Sequence, residues 1–172
     1  MIIRKPKYID FENELRLLNT LKYQLLTHGL HAGNTVIVTV STDYSSVVGQ
    51  YLRHALTHER EICDGFGVDV PYPDEVWDTR YINGLKKALV SHRDLFHNNN
   101  KSLLLVEAGV IRGGNYQFVT NHLKEYLDNK VLTLALYENE NSVFKSDYVG
   151  EYYDNTTEDL TFWWEEDNKH WD

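Results

Sequence analysis

Three continuous apolar runs constrain this chain more than anything else in it. They are Thr35-Val36-Ile37-Val38-Thr39-Val40, Leu103-Leu104-Leu105-Val106 and Val131-Leu132-Thr133-Leu134-Ala135-Leu136. None alternates polar with apolar, so each reads as a strand covered on both faces, the pattern of a parallel sheet. Helical patterns stand between and before them. Phe11, Leu15, Leu18, Leu21, Leu25 and Leu26 recur at helical spacing over residues 10–28, and Gly29 ends that helix. A second helix follows residue 46, with Val47, Val48, Tyr51, Leu52, Ala55 and Leu56 inward. A third covers residues 78–91, with Tyr81, Leu85, Ala88 and Leu89 inward, and Tyr116, Val119, Leu123, Tyr126 and Leu127 mark a fourth. Leu160-Thr161-Phe162-Trp163-Trp164 reads as a last strand.

Strands alternating with helices predict an α/β fold with a mostly parallel central sheet flanked by helices. All 172 residues read as one domain without repeats. Residues 59–77 hold Gly65, Gly67, Pro71 and Pro73 and read as an irregular insert or lid. In such sheets ligands bind beyond the carboxyl ends of the strands. The loops after Val40, Val106 and Leu136 are therefore expected to share one site.

Charge narrows the partners. Lys and Arg number 17 against 26 Asp and Glu, a net charge of -9. An acidic chain is repelled by nucleic acid and by anionic membrane surfaces, and neither is expected as a partner. The single cysteine, Cys63, cannot close an internal disulfide. With no apolar run of bilayer length, the chain reads as cytoplasmic.

The residues after the second run carry a family resemblance. Val106-Glu107-Ala108-Gly109-Val110-Ile111-Arg112-Gly113-Gly114-Asn115 is similar to the type I phosphoribosyltransferase signature: a buried strand, two acids, two apolar residues, an acid, Thr-Gly-Gly-Thr and a helix. Other segments follow in the same order. Tyr8-Ile9-Asp10-Phe11 resembles the opening of the purine (xanthine/hypoxanthine-like) branch, and residues 35–56 its first strand, pyrophosphate loop and helix. Phe144-Lys145-Ser146-Asp147-Tyr148-Val149-Gly150 resembles its Phe-Lys-Pro-Asp-Tyr-Val-Gly segment, and Phe162-Trp163-Trp164-Glu165 its closing Phe-Pro-Trp-Glu.

The resemblance implies a site that moves ribose 5-phosphate from phosphoribosyl pyrophosphate to a purine with Mg²⁺. It places the 5-phosphate at Arg112, Gly113, Gly114 and Asn115, the first acid at Glu107, and the pyrophosphate loop at Ser41, Thr42, Asp43 and Tyr44. It places the base pocket at Asn139, Leu160 and Thr161, and a loosely aligned metal-linked acid at Asp167. It also implies a homodimer, which an aromatic surface with Trp163, Trp164 and Trp171 would suit.

Several of those positions have changed chemistry. Ala108 stands at the second acid and cannot accept a hydroxyl hydrogen bond. Ile111 stands at the third and cannot transfer a proton. Asp43 replaces the pyrophosphate cation, either as a helix cap or as a Mg²⁺ ligand. Glu138-Asn139-Glu140 stands where the purine branch has a base-reading lysine. Arg112 either makes a charge-assisted phosphate contact or is merely solvated beside a strand-to-helix turn. The expectation is a nucleotide- or phosphate-binding protein on this scaffold, or one that docks a protein partner, with active purine transfer, Glu107 catalytic, as the alternative. His54 and His58, four apart and with His28 and His31 near in sequence, form a weaker metal pattern. Cys63, with Arg60 near it in sequence, forms a weaker nucleophile pattern.

Overall fold

The computed structural model describes residues 5–41, 43–70, 78–96 and 101–162. Five parallel strands form the central sheet in the order β3-β2-β4-β5-β6. They are β2 (Thr35–Ser41), β3 (Asp64–Asp69), β4 (Ser102–Val110), β5 (Val131–Asn139) and β6 (Tyr148–Tyr153). β1 (Lys5–Ile9) and β7 (Glu158–Phe162) pair in parallel as a separate two-stranded sheet. Lys7 Nζ joins the two sheets, 2.7 Å from Glu151 of β6 and 3.6 Å from Glu158 of β7.

The three apolar runs are β2, β4 and β5, with helices packed on both faces. Strand parity sorts the core. Ile37, Leu104, Val106, Leu134 and Leu136 face α1 (Phe11–Thr27) and α2 (Asp43–Ala55). Val36, Val38, Leu103, Leu105 and Ala135 face α3 (Thr79–Ser91), the short α4 (Arg93–Phe96) and α5 (Gly114–Tyr126). Asp10 caps α1 by accepting from the Asn13 amide at 2.7 Å, and Asp78 caps α3. No described helix is long and apolar enough to cross a membrane.

The structure corrects several element boundaries. Residues 64–69, expected to be irregular, are the edge strand β3. Gly65 makes this possible: a Cβ there would lie 2.7 Å from the Ile37 carbonyl of β2. Residues 71–77 of the expected lid lie outside the described residues. β4 continues to Val110 and β5 to Asn139, so Glu107 and Asn139 are strand residues rather than loop residues. β1 and β6 are strands beyond those the sequence predicts. Val47 points outward at 56% exposure, while Ser45, Val48, Leu52 and Leu56 are buried. On α1 the buried stripe is Leu17, Leu18, Leu21 and Leu25, and Phe11, Leu15 and Leu26 are exposed.

Candidate functional site

The carboxyl ends of β2, β4 and β5 meet on one rim, as parallel register requires: Thr39 pairs with Val106, and Val110 with Glu138. The turn after β2 is joined to β4 by the buried Ser45, whose hydroxyl accepts from the Ala108 amide at 3.0 Å. The turn after β4 is three residues, Ile111, Arg112 and Gly113, before α5 begins. Gly113 is the N-cap of α5 in the left-handed conformation, φ 79 and ψ 0, and brings no side chain over the helix end. An α-helix start points N–H groups and the positive end of its dipole at whatever lies before it. The cavity there, about 280 Å³, is walled by Glu107, Gly109, Val110 and residues 111–116.

The connection from β5 to β6 holds this turn in place. Parallel neighbours usually need a dozen or more linking residues, but here residues 140–147 make the return. They run across the back of the turn. Val143 donates its amide to the Arg112 carbonyl at 3.3 Å. Asn139, 3% exposed, donates its side-chain amide to the Ile111 carbonyl at 2.8 Å, and its Oδ1 accepts from the Asn141 amide at 3.1 Å. Phe144 meets the Tyr116 ring edge-on, centroids 5.2 Å apart. The Tyr116 hydroxyl, fully buried, accepts from the Leu134 amide at 2.9 Å and contacts the Leu105 and Leu134 carbonyls, fixing α5 against β4 and β5.

Glu107 lines the cavity from the α5 side of β4. It makes no hydrogen bond or ion pair to any described residue. Burial alone pushes its carboxyl up to about 8. The group is therefore mostly protonated at neutral pH and puts little negative charge into the cavity. Ala108, the next residue, faces the opposite side of the sheet, into the α1–α2 core.

The fold has counterparts among solved structures. A purine phosphoribosyltransferase from Pyrococcus horikoshii Ot3 superposes with a TM-score of 0.63 over 93% of each chain at 14% identity. A Helicobacter pylori xanthine-guanine-hypoxanthine phosphoribosyltransferase gives 0.61, covering 95% of this chain and 97% of its own, at 14% identity. A hypoxanthine-guanine-xanthine phosphoribosyltransferase gives 0.57, covering 84% and 76%, again at 14% identity. The chain has the type I phosphoribosyltransferase fold. No family model matches the chain, and no curated protein matches its sequence.

On this phosphoribosyltransferase-like scaffold, the structure gathers Glu107, Arg112, Gly113, Gly114 and Asn115 around one cavity. Ser41 ends β2 on the same rim and Asp43 starts α2. Thr42 and the side chains of Ser41, Asp43 and Tyr44 lie outside the described residues, as do Asp167, Trp163, Trp164 and Trp171. Asn139 does not line the cavity; its amide is committed to bracing the turn. Leu160 and Thr161 lie on β7, away from the cavity lining, and Leu160 packs on the α1-side core. Sequence reasoning missed the roles of Ser45, Tyr116 and Phe144. Asn139→Ala strips partners from the Ile111 carbonyl and the Asn141 amide, so a loss of about 2 kcal/mol is expected, read as a melting drop of roughly 4–8 °C.

The described residues do not fit a protein-held Mg²⁺. Among them no three His, Cys, Asp or Glu side chains gather, and Glu107 is the one acid in the cavity wall. The histidine pattern disperses as well. His31 stacks on His58 with centroids 4.4 Å apart, His54 contacts Gln50, and His28 contacts Tyr148. Cys63 is fully buried, its thiol donating to the Thr35 carbonyl at 3.0 Å, and burial pushes it up to about 11. Folded protein should therefore leave Cys63 unlabelled by an aromatic disulfide reagent at pH 8, with stoichiometric labelling only after denaturation.

Proposed function

We propose that this protein binds a phosphate-bearing ligand, a nucleoside monophosphate or a related sugar phosphate, at the turn between β4 and α5, without carrying out phosphoribosyl transfer. The carrying observation is the Gly113 turn: a left-handed glycine cap at the start of a 13-residue helix, facing a cavity of about 280 Å³. The phosphate sits against the first turn of α5, between Gly113, Gly114 and Asn115, with the exposed Arg112 at the lip. Glu107 meets the ribose hydroxyls. Being protonated, it donates or accepts a hydrogen bond there without repelling the phosphate. The likeness to purine phosphoribosyltransferases supports the placement of these roles.

Two positions where the resemblance places acids carry no ionisable group: Ala108 and Ile111 hold no proton and coordinate nothing. Among the described residues the cavity wall offers a single carboxyl. Calorimetric titration with purine nucleoside monophosphates tests binding, and incubation with phosphoribosyl pyrophosphate, Mg²⁺ and a purine panel tests transfer. The expected outcome is saturable binding with no nucleotide formed. Turnover that disappears in Glu107→Ala would replace this reading with an active transferase.

A further inference from the structure

A second recess opens on the opposite rim of the sheet. It lies at the amino ends of β4, β5 and β6, beneath the last turn of α1, and encloses about 390 Å³. Parity explains what faces it. Leu104 and Leu134 point to the α1 side, so Ser102 and Leu132, two residues earlier on the same strands, do too, with Lys130 just before β5. β6 adds Tyr148, whose hydroxyl lies 3.1 Å from His28 Nδ1 at the α1 C-cap. Gly29, left-handed at φ 77, turns the chain away and leaves open space where a side chain would stand.

The chemistry of this wall is one-sided. Lys130 brings an ammonium that pairs with no described carboxylate, and the Ser102 hydroxyl makes no hydrogen bond to a described residue. Among the described residues no acidic side chain lines the recess, although the chain carries a net charge of -9. Leu132 and the Tyr148 ring supply an apolar floor. A cation, a free hydroxyl and an apolar surface together recognise an oxyanion attached to a hydrocarbon or aromatic body.

We propose that this recess is a second binding site, for a small organic anion whose oxyanion head is held by Lys130 Nζ and the Ser102 hydroxyl and whose apolar body lies on Leu132 and the Tyr148 ring. It is separate from the β4–α5 turn and independent of what that turn binds, because the two lie at opposite ends of β4.

Benzoate is the test probe, with benzyl alcohol as its uncharged counterpart, followed through amide ¹H–¹⁵N chemical shifts of the full chain. Benzoate should cause saturable shifts at residues 28–34, 102, 130–132 and 148, and benzyl alcohol should cause none that saturate. Lys130→Gln should weaken benzoate at least about tenfold, as loss of a charge-assisted hydrogen bond does, while Lys130→Arg keeps it. Lys130 is exposed, so both variants retain the fold. Equal affinity for the alcohol, unchanged affinity in Lys130→Gln, no saturable shift, or shifts confined to residues 107–116 would each overturn the proposal.

Discussion

Replacing Gly113 with alanine is expected to lower the melting temperature by roughly 6–12 °C and to abolish phosphate binding at the β4–α5 turn. Two independent effects add. The residue sits at φ 79, and a side chain in the left-handed region costs about 1–2 kcal/mol. The new methyl carbon would also lie 2.7 Å from Phe144 Cβ and 3.0 Å from its backbone nitrogen, and closer still to Ser142 Oγ. Those atoms have little room to retreat. Phe144 is packed on the Tyr116 ring, and Tyr116 is fixed to β4 and β5 by its buried hydroxyl. Overpacking of this kind costs about 1–3 kcal/mol, and relief requires moving the turn itself. Gly114→Ala is the control. A Cβ there meets nothing within 4 Å, its φ is not in the positive range, and helix propensity favours alanine by up to about 1 kcal/mol. Thermal melts of the two variants should therefore move in opposite directions.

Glu107→Gln is expected to stabilise the protein in mild alkali and to flatten its pH–stability curve. In the folded chain the carboxyl keeps its proton to about 8; in the unfolded chain it releases it near 4.5. The folded state therefore binds more protons between those values, and stability falls as pH rises. The favourable contribution is complete below pH 4.5, erodes through the neutral range and is gone above about 8. The gap is worth on the order of 5 kcal/mol at the top of that window. Glutamine is nearly isosteric and does not titrate. Urea unfolding at pH 5, 7 and 9 should give a falling series for the parent chain and a flatter one for the variant. Parallel curves would show that Glu107 is ionised in the fold. That result would also put a negative charge beside the phosphate seat.

The parts of the fold legible in the sequence were those that burial writes into it. β2, β4 and β5 are covered on both faces, so their sequences are unbroken apolar runs. β3 was hidden because its sequence, Asp64 to Asp69 with Gly65 and Gly67, has the composition of a loop. It is a strand because Gly65 lets it approach the Ile37 carbonyl of β2, a tertiary reason with no local signal. Val47 reads as inward from its apolar character, but the phase of α2 is set by Ser45, Val48 and Leu52. At the site, the glycine turn is legible because Gly113 and Gly114 survive in the signature the chain resembles, and Gly113 takes the left-handed conformation that glycine favours. The resemblance implies a base-facing Asn139, whereas the structure spends its amide on the turn's backbone. Nothing in the sequence showed that Glu107 would be desolvated, since that depends on α5 closing over β4. The base pocket expected at Leu160 and Thr161 rested on alignment alone, and β7 lies outside the cavity wall.

Amide chemical shifts during titration with a purine nucleoside monophosphate test the central claim most directly. The account predicts saturable shifts concentrated at residues 112–116, absent in Gly113→Ala and present in Gly114→Ala. Saturation with residues 107–116 unmoved would contradict it, as would identical shifts in the Gly113→Ala variant.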